Sequence, residues 1–198
     1  MKKTLALLLT FVMLFSAFAL TSCGNKKPED LILGKWEGTI KGEVFAEEIE
    51  KEVEEMSDYL DFKDLPDVKV YLEFDDGEVT QTVDEKSAEE FLDAVLDVIR
   101  DGMKDLLTDT VNAQTGQKLT FEEILKSLGQ TEDELWESML SEIDLDEVKK
   151  EMFEEVVQEY EFDGEELLID KEETFYELTE KELVIKVLDT KVTFKKAK

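Results

Sequence analysis

An apolar leader that ends at the only cysteine of the chain limits what this sequence can fold into. Lys2 and Lys3 precede an uncharged run from Leu5 to Leu20, and Cys23 follows within three residues. The run is shorter than the roughly 20 residues that a membrane-spanning helix needs, and it is typical of a secretory signal peptide. We therefore expect residues 1–22 to be removed, which leaves the rest of the chain to fold without them.

The residues around the expected cleavage site resemble the lipobox of bacterial lipoproteins. Leu20, Thr21 and Ser22 stand directly before Cys23. In lipoproteins the cysteine thiol receives a diacylglyceryl group and the leader is cut just before it. The resemblance implies that residues 23–30 form a lipidated cysteine and a tether, and that the domain is held on the extracytoplasmic side of the bacterial cell envelope. An ordinary signal peptide whose cleavage site contains a cysteine is the alternative.

The composition excludes several kinds of chemistry. The chain has no histidine, and its single cysteine is the one expected to be acylated. Thiolate catalysis, Ser-His-Asp catalysis and zinc or copper sites built from His or Cys are thereby excluded, and no disulfide can form. Carboxylate pairs can perform acid-base chemistry, but among 52 Asp and Glu residues close pairs arise by chance. We expect no enzymatic activity, no catalytic residue and no cofactor.

Net charge limits the partners of the domain. Without residues 1–22 the chain keeps 21 Lys and Arg against 52 Asp and Glu, a net charge of −31. Nucleic acid and anionic lipid surfaces would repel such a protein, so we expect no nucleic-acid partner. Cations and basic proteins remain possible partners, although this charge also simply keeps a tethered domain soluble.

Calcium is the metal that the composition permits, because it prefers oxygen ligands. Residues 112–123 resemble an EF-hand loop only faintly, with Leu119 and Glu123 suitably placed. Gln117 stands where that loop needs glycine. We therefore predict no metal site.

Alternating apolar and polar residues predict eight β-strands, three before a long helical segment and five after it. Asp75-Asp76-Gly77 joins the second strand to the third as a hairpin turn. Further turns are expected at Asp163-Gly164, Glu180-Lys181 and Asp189-Thr190. The strands are centred on residues 35–41, 68–74, 79–83, 160–162, 167–169, 176–178, 183–187 and 192–194. Eight antiparallel strands can close into a small barrel without free edges.

Two segments have helical periodicity instead. Residues 44–60 predict one amphipathic helix, and residues 84–157 predict a helical insertion between the third and fourth strands. Three capping boxes mark helix starts in the insertion: Ser87 with Glu90, Thr120 with Glu123, and Thr131 with Glu134. We expect the apolar stripes of these helices to pack on one another and on the sheet. A lid whose methionines adapt to a guest is the alternative.

Gly34 and Trp36 resemble the Gly-x-Trp signature that opens the first strand of lipocalins and of the lipocalin-like domains of bacterial lipoproteins. The run from Tyr160 to Lys195 is similar to the C-terminal meander of that family. The resemblance implies an α+β, mainly β fold over residues 31–198, with an eight-stranded antiparallel barrel. Larger lipocalins also stack an arginine on the signature tryptophan, but the only arginine here is Arg100, inside the insertion.

Two functions are compatible with this fold. The first is non-enzymatic binding of a small apolar or lipid-like ligand near the membrane. Its candidate lining residues are Val70, Leu72, Tyr160, Phe162, Leu167, Ile169, Tyr176 and Ile185. In the alternative, Trp36, Phe74, Phe162 and Phe194 fill the interior, and the protein is an envelope structural or protein-interaction module. A ligand-sized apolar cavity favours the first function, and a packed interior favours the second.

Replacing Cys23 by serine tests the predicted anchor. We expect the Cys23→Ser chain to carry no fatty acid and to leave the membrane fraction, because the thiol that would be acylated is gone. Ser22→Ala keeps a small residue before the cleavage site and should still be lipidated. Metabolic labelling with an alkyne fatty acid, followed by membrane fractionation, measures both effects. A labelled Cys23→Ser chain would contradict the lipobox assignment.

Overall fold

The structure, a computed structural model, describes residues 27–52, 58–141, 144–188 and 190–197. The predicted signal peptide, its cleavage motif Leu20-Thr21-Ser22 and the lipidated Cys23 lie outside the described residues. Within the described ranges, no helix is both long enough and apolar enough to cross a membrane.

The described chain contains six helices and nine strands. The helices are α1 (Pro28–Ile32), α2 (Gly42–Glu52), α3 (Glu85–Thr115), α4 (Phe121–Leu128), α5 (Glu132–Leu140) and α6 (Leu145–Phe153). The strands are β1 (Gly34–Ile40), β2 (Val68–Asp75), β3 (Glu78–Val83), β4 (Val156–Phe162), β5 (Leu167–Ile169), β6 (Glu172–Glu173), β7 (Tyr176–Leu178), β8 (Glu182–Val187) and β9 (Thr190–Lys196).

All nine strands form one curled antiparallel sheet, a half-barrel with the order β6-β5-β4-β3-β2-β1-β9-β8-β7. Apart from β6 and β7, each strand pairs with the strand that follows it in the chain, and the first strand also pairs with the last, Gly38 facing Phe194. Four helices, α3 to α6, separate β3 from β4. The predictions of a mainly antiparallel β fold and of a helical insertion after the third strand are thus confirmed.

The prediction of eight strands closed into a barrel was wrong. The ninth strand is β6, and its two glutamates are both exposed. Because it has no apolar residue, no alternation in the sequence marks it. The strands β6 and β7 follow each other in the chain but do not pair, so the sheet stays open between them.

Side chains meet across this open seam. Phe162 on β4 packs edge-on against Tyr176 on β7, with ring centroids 5.1 Å apart. The Tyr176 hydroxyl donates a hydrogen bond to the Gly164 carbonyl, with an O···O distance of 3.0 Å. The margin strand β7 is therefore held by aromatic packing and a side-chain hydrogen bond to β4 and the turn that follows it, and not to the opposite margin β6.

The predicted hairpin turn between β2 and β3 is confirmed. Asp75 pairs with Glu78, so the turn contains only Asp76 and Gly77. Their φ angles are 42° and 85°. Two positive φ values in a two-residue turn match the right-handed twist of the flanking strands, and Asp-Gly is a favoured pair for that geometry.

Two local helix predictions were wrong. Ser87 does not cap α3, because Asp84 at the end of β3 accepts a hydrogen bond from the Ser87 amide and is itself the N-cap. Leu60 was predicted at the end of the first helix, but it lies outside any helix and follows a turn at residues 58–59, whereas residues 53–57 of that prediction lie outside the described residues. The capping boxes that begin α4 and α5, at Thr120 and Thr131, are confirmed.

One end of the half-barrel, the tether end, is where β1 begins at Gly34. Trp36 is fully buried there and donates from its indole nitrogen to the Ile32 carbonyl of α1, at 2.6 Å. The Lys196 ammonium lies 4.9 Å from the centroid of the Trp36 ring and donates to the Leu31 carbonyl at 2.8 Å. A lysine of the last strand thus covers the signature tryptophan, whereas Arg100 lies over Trp136, 5.5 Å from its centroid.

The other end, the helical end, is where β1 finishes at Ile40. Phe45 of α2 and Phe91 of α3 meet there with ring centroids 4.8 Å apart, and both belong to the main core. The Ser87 hydroxyl accepts a hydrogen bond from the Lys69 amide at 3.0 Å, which fixes the start of α3 on β2. The helices α2, α3 and α6 therefore close this end of the sheet.

Beyond the core, α3 continues into a helical arm, residues 96–140. Ile124, Leu125 and Trp136 are buried in the arm but lie outside the main core. The Lys104 ammonium pairs with the Glu132 carboxylate at 2.8 Å and so ties α5 to α3. With its 31 residues, α3 is about 46 Å long.

Gly38 is expected to be essential for packing between the first and last strands. A Cβ atom added there would lie 2.5 Å from the Phe194 ring. Gly38→Ala should lower the free energy of unfolding by roughly 1–3 kcal/mol, as overpacking of a core usually does. Urea denaturation of Gly38→Ala, Phe194→Leu and the double variant measures the coupling. We expect the double variant to lose less than the sum of the single losses, and additive losses would contradict the clash.

Candidate functional site

The concave face of the half-barrel is filled by its own side chains. Eight large residues of five described strands are no more than 2% exposed: Trp36, Ile40, Phe74, Leu167, Ile169, Leu183, Ile185 and Phe194. The hollow among them has a volume of about 30 Å³ and is lined by Ile40, Val70, Leu72, Gln81, Ile185, Val187 and Phe194. Pockets for drug-sized ligands occupy about 300–1,000 Å³. This hollow has room for about one water molecule.

The eight residues predicted to line a ligand site fall into two groups. Val70, Leu72 and Ile185 line the small interior hollow. The other five pack in or against the core: Tyr160, Phe162, Leu167, Ile169 and Tyr176. Leu167 and Ile169 are buried, and the Tyr160 ring packs edge-on against Phe74 at 5.0 Å. Of the four residues predicted to fill the interior, Trp36, Phe74 and Phe194 are fully buried, and Phe162 packs at the seam.

A second apolar hollow, the helical-end crevice, lies where α2, α3 and α6 meet the sheet. Its lining residues are Phe45, Val68, Val70, Gln81, Val83, Ala88, Phe91, Glu151, Met152, Glu154 and Val156. Its volume is about 60 Å³, the space of about two water molecules. Met152 of α6 is the methionine among these lining residues. The crevice as a whole is invisible in the sequence, because six separate elements meet to form it.

Gln81 is the polar side chain that lines both apolar hollows. It occupies an inward position of β3, between Val79 and Val83. Within the described part of the chain, no hydrogen bond is formed by its side-chain amide. Gln158 provides a contrast, because it is 6% exposed and its amide donates to the Asp170 carboxylate at 2.8 Å.

A larger polar groove runs over the outer face of β1, β2 and β3. It encloses about 710 Å³ and is lined by Lys35, Tyr71, Glu73, Thr80, Thr82, Val83, Asp84, Glu85, Lys86 and Glu155. The Lys35 ammonium lies 4.6 Å from the centroid of the Tyr71 ring. Val83 lines both this outer groove and the helical-end crevice. The two depressions therefore share a wall at the helical end.

Four carboxyl groups have clearly lowered pKa values, each for a structural reason. The Lys41 ammonium, 2.5 Å away, lowers the pKa of Asp67, and Lys104 lowers the pKa of Glu132. Backbone amides lower the pKa of Glu134 in its capping box and of Asp163 in the β4–β5 turn. A general acid working near neutral pH needs a raised carboxyl pKa, so these four groups are unsuited to that role.

In the stretch that resembles an EF-hand loop, residues 112–123, polar side chains stabilise the loop and the helix start. The Asn112 side chain closes the loop before α4 by donating to the Leu119 carbonyl and accepting from the Leu119 amide. Glu123 accepts from the Thr120 amide in the capping box of α4. In the described ranges, no group of three or more acidic side chains is arranged to hold a metal ion.

Comparisons of the chain with protein-family models, with curated proteins and with solved structures found no match.

Replacing Gln81 by methionine tests whether its half-buried amide contributes to stability. Gln81→Met keeps the length of the side chain and removes a polar group that has no described partner, so the free energy of unfolding should stay level or rise by up to about 1 kcal/mol. Gln158→Met is the matched control and should lose about 1–3 kcal/mol, because it leaves Asp170 without its donor. Urea denaturation compares the two. A loss in Gln81→Met as large as in Gln158→Met would contradict this assignment.

Proposed function

We propose that this chain is a lipid-anchored, extracytoplasmic protein of lipocalin-like architecture that has no enzymatic activity and acts by binding a macromolecular partner on its outer surface. The observation that carries this proposal is the filled interior. Eight large side chains occupy the concave face, and the hollow left among them is about 30 Å³. An eight- or nine-stranded sheet filled in this way has only its outside available for binding.

The lipocalin-like assignment is supported by the order of the strands and by the surroundings of the signature residues. Successive strands pair in a meander, and the last strand returns to the first. Gly34 and Trp36 open β1, and a cationic side chain of the last strand covers the Trp36 ring. A lysine performs here the stacking that an arginine performs in larger lipocalins. The absence of that arginine therefore does not count against the resemblance.

An acidic ridge on α3 is the main feature of the outer surface. It consists of six exposed carboxylates spaced four residues apart: Glu89, Asp93, Asp97, Asp101, Asp105 and Asp109. Four residues turn a helix by about 40° more than one full turn, so the ridge winds slowly along about 30 Å of α3. Like charges at this spacing disfavour a helix. A basic partner would relieve that repulsion, and charge complementarity would speed its association.

The ligand-carrier function is the second candidate, and the helical-end crevice is what favours it. The crevice walls are apolar and include the flexible Met152. A carrier would have to widen this crevice severalfold, because its present volume is about 60 Å³.

Site-specific cross-linking on intact cells tests the proposed function. A photoreactive residue replaces either Leu128, which is 57% exposed in the arm, or Lys181 at the tether end of the full-length chain. We expect a discrete protein adduct from position 128 and none from position 181. Reversing Glu89, Asp93 and Asp105 to lysine should lower the adduct yield about tenfold, since each reversed rim charge costs on the order of 0.5 kcal/mol.

The control reverses three exposed carboxylates at the tether end, Glu165, Glu166 and Glu180, and should leave the adduct unchanged. It changes the net charge by the same amount as the ridge variant. Equal adducts from positions 128 and 181, or equal losses in both variants, would overturn the proposal. Native mass spectrometry of residues 24–198 tests the alternative function. A stoichiometric lipid adduct would establish the carrier function instead.

A further inference from the structure

The apolar helical-end crevice and the polar outer groove adjoin at Val83. The walls of the crevice are apolar, with Phe45, Phe91 and Met152 among them. Apolar surface extends outward from it along the start of β4, where Val156 is 39% exposed and Val157 is 54% exposed. The outer groove begins beside these residues and encloses about 710 Å³. A peptide segment could lie in the groove while one of its side chains enters the crevice.

Carboxylates surround the mouth of the crevice. Glu151 and Glu154 line it and are exposed, and the next residue, Glu155, lines the outer groove. Glu151 belongs to the last turn of α6, and Glu154 is its C-cap. The C-terminal end of a helix has a partial negative charge, which adds to the field of these side chains. The rim of the crevice therefore attracts cations.

We propose that this surface binds an extended peptide segment of a partner protein, in which an apolar side chain enters the helical-end crevice and flanking lysines or arginines face the carboxylates of Glu151, Glu154 and Glu155. This inference rests on the proposed function, since it assigns the position and chemistry of the partner. An apolar anchor in a pocket with a polar rim is the usual arrangement of the residues that dominate binding between proteins. Met152 adjusts the width of the crevice to the anchor, because its unbranched side chain is flexible.

A protein segment fits this surface better than a lipid does. The rim carboxylates repel anionic head groups, and the crevice is too small for an acyl chain. Its position is also unfavourable for exchange with the membrane, because Val68, which lines the crevice, pairs with Ile40 at the far end of β1. The start of β1, next to the tether, lies about 20 Å away along the strand.

Binding of short synthetic peptides tests the proposal on residues 24–198, which include the described domain. The first peptide has one leucine flanked on each side by glycine and two lysines. The second has serine in place of the leucine, and the third has glutamates in place of the lysines. With ¹³C-labelled methionine methyl groups, we expect the first peptide to shift the Met152 signal saturably at up to about 1 mM. The other two peptides should bind at least about tenfold more weakly.

Two pairs of variants locate the binding surface. Glu151→Lys with Glu154→Lys should weaken the first peptide at least about tenfold, whereas Glu165→Lys with Glu166→Lys, the same charge change at the tether end, should have no effect. Val156→Asp should abolish the Met152 shift, and Val157→Thr, on the neighbouring residue, should preserve it. Circular dichroism and urea midpoints confirm that each variant is folded, and a variant that is not folded is replaced by Val156→Ser.

The outcomes separate this inference from the proposed function. Equal binding of the leucine and serine peptides, or an unchanged Met152 signal, would overturn the crevice assignment. If the cross-link from position 128 and its dependence on the acidic ridge persist in that case, the proposed function stands and only the location is wrong. Displacement of the peptide by a lipid that also shifts Met152 would overturn the inference in favour of the carrier function.

Discussion

The close contact between Gly38 and Phe194 holds the two ends of the chain together. Since no disulfide can form, backbone pairing and side-chain packing must join the first strand to the last. The Phe194 ring occupies the space that a Cβ atom at position 38 would need, and this brings β9 against β1 at the centre of the sheet. Trp36 and Lys196 close the tether end beside this contact. The curvature of the half-barrel, and with it the filled interior, depends on this junction.

Because side chains fill the interior of the sheet, the surfaces available for binding lie outside it. The same apolar residues that suggest a ligand site in the sequence pack against each other in the structure. Their large side chains meet because the sheet is curled tightly, with aromatic pairs such as Phe74 and Tyr160 in edge-on contact. What remains for binding is the helical insertion, the outer groove and the crevice where helices and sheet meet.

Local rules predicted much of the fold from the sequence. Period-two alternation located eight of the nine strands, the Asp76-Gly77 turn was recognisable, and the capping boxes at Thr120 and Thr131 marked two helix starts. The start of α3 was predicted at the wrong residue. Asp84, three residues before Ser87, is the N-cap and accepts a hydrogen bond from the Ser87 amide. Strand β6 was not predicted, because its two exposed glutamates show no alternation of apolar and polar residues.

The candidate site could not be predicted in the same way. Hydrophobic periodicity shows that Phe45, Phe91, Met152 and Val156 face inward, but not that they face one another. Their meeting depends on how α6 returns to the sheet after the arm, which no local signal encodes. The acidic character of the crevice rim could not be predicted either, because nothing in the sequence distinguishes Glu151 and Glu154 from the other Asp and Glu residues, 52 in all.

The open seam has a consequence for the proposed anchorage, which would hold copies of the protein at high density in two dimensions. Its margins are the strands β6 and β7, only two and three residues long, with exposed glutamates at positions 172, 173 and 177. Neighbouring copies on a crowded membrane would present these margins to each other at close range. Short, negatively charged margins cannot accept an additional strand, so the sheet can remain unclosed without seeding fibrous assembly between anchored molecules.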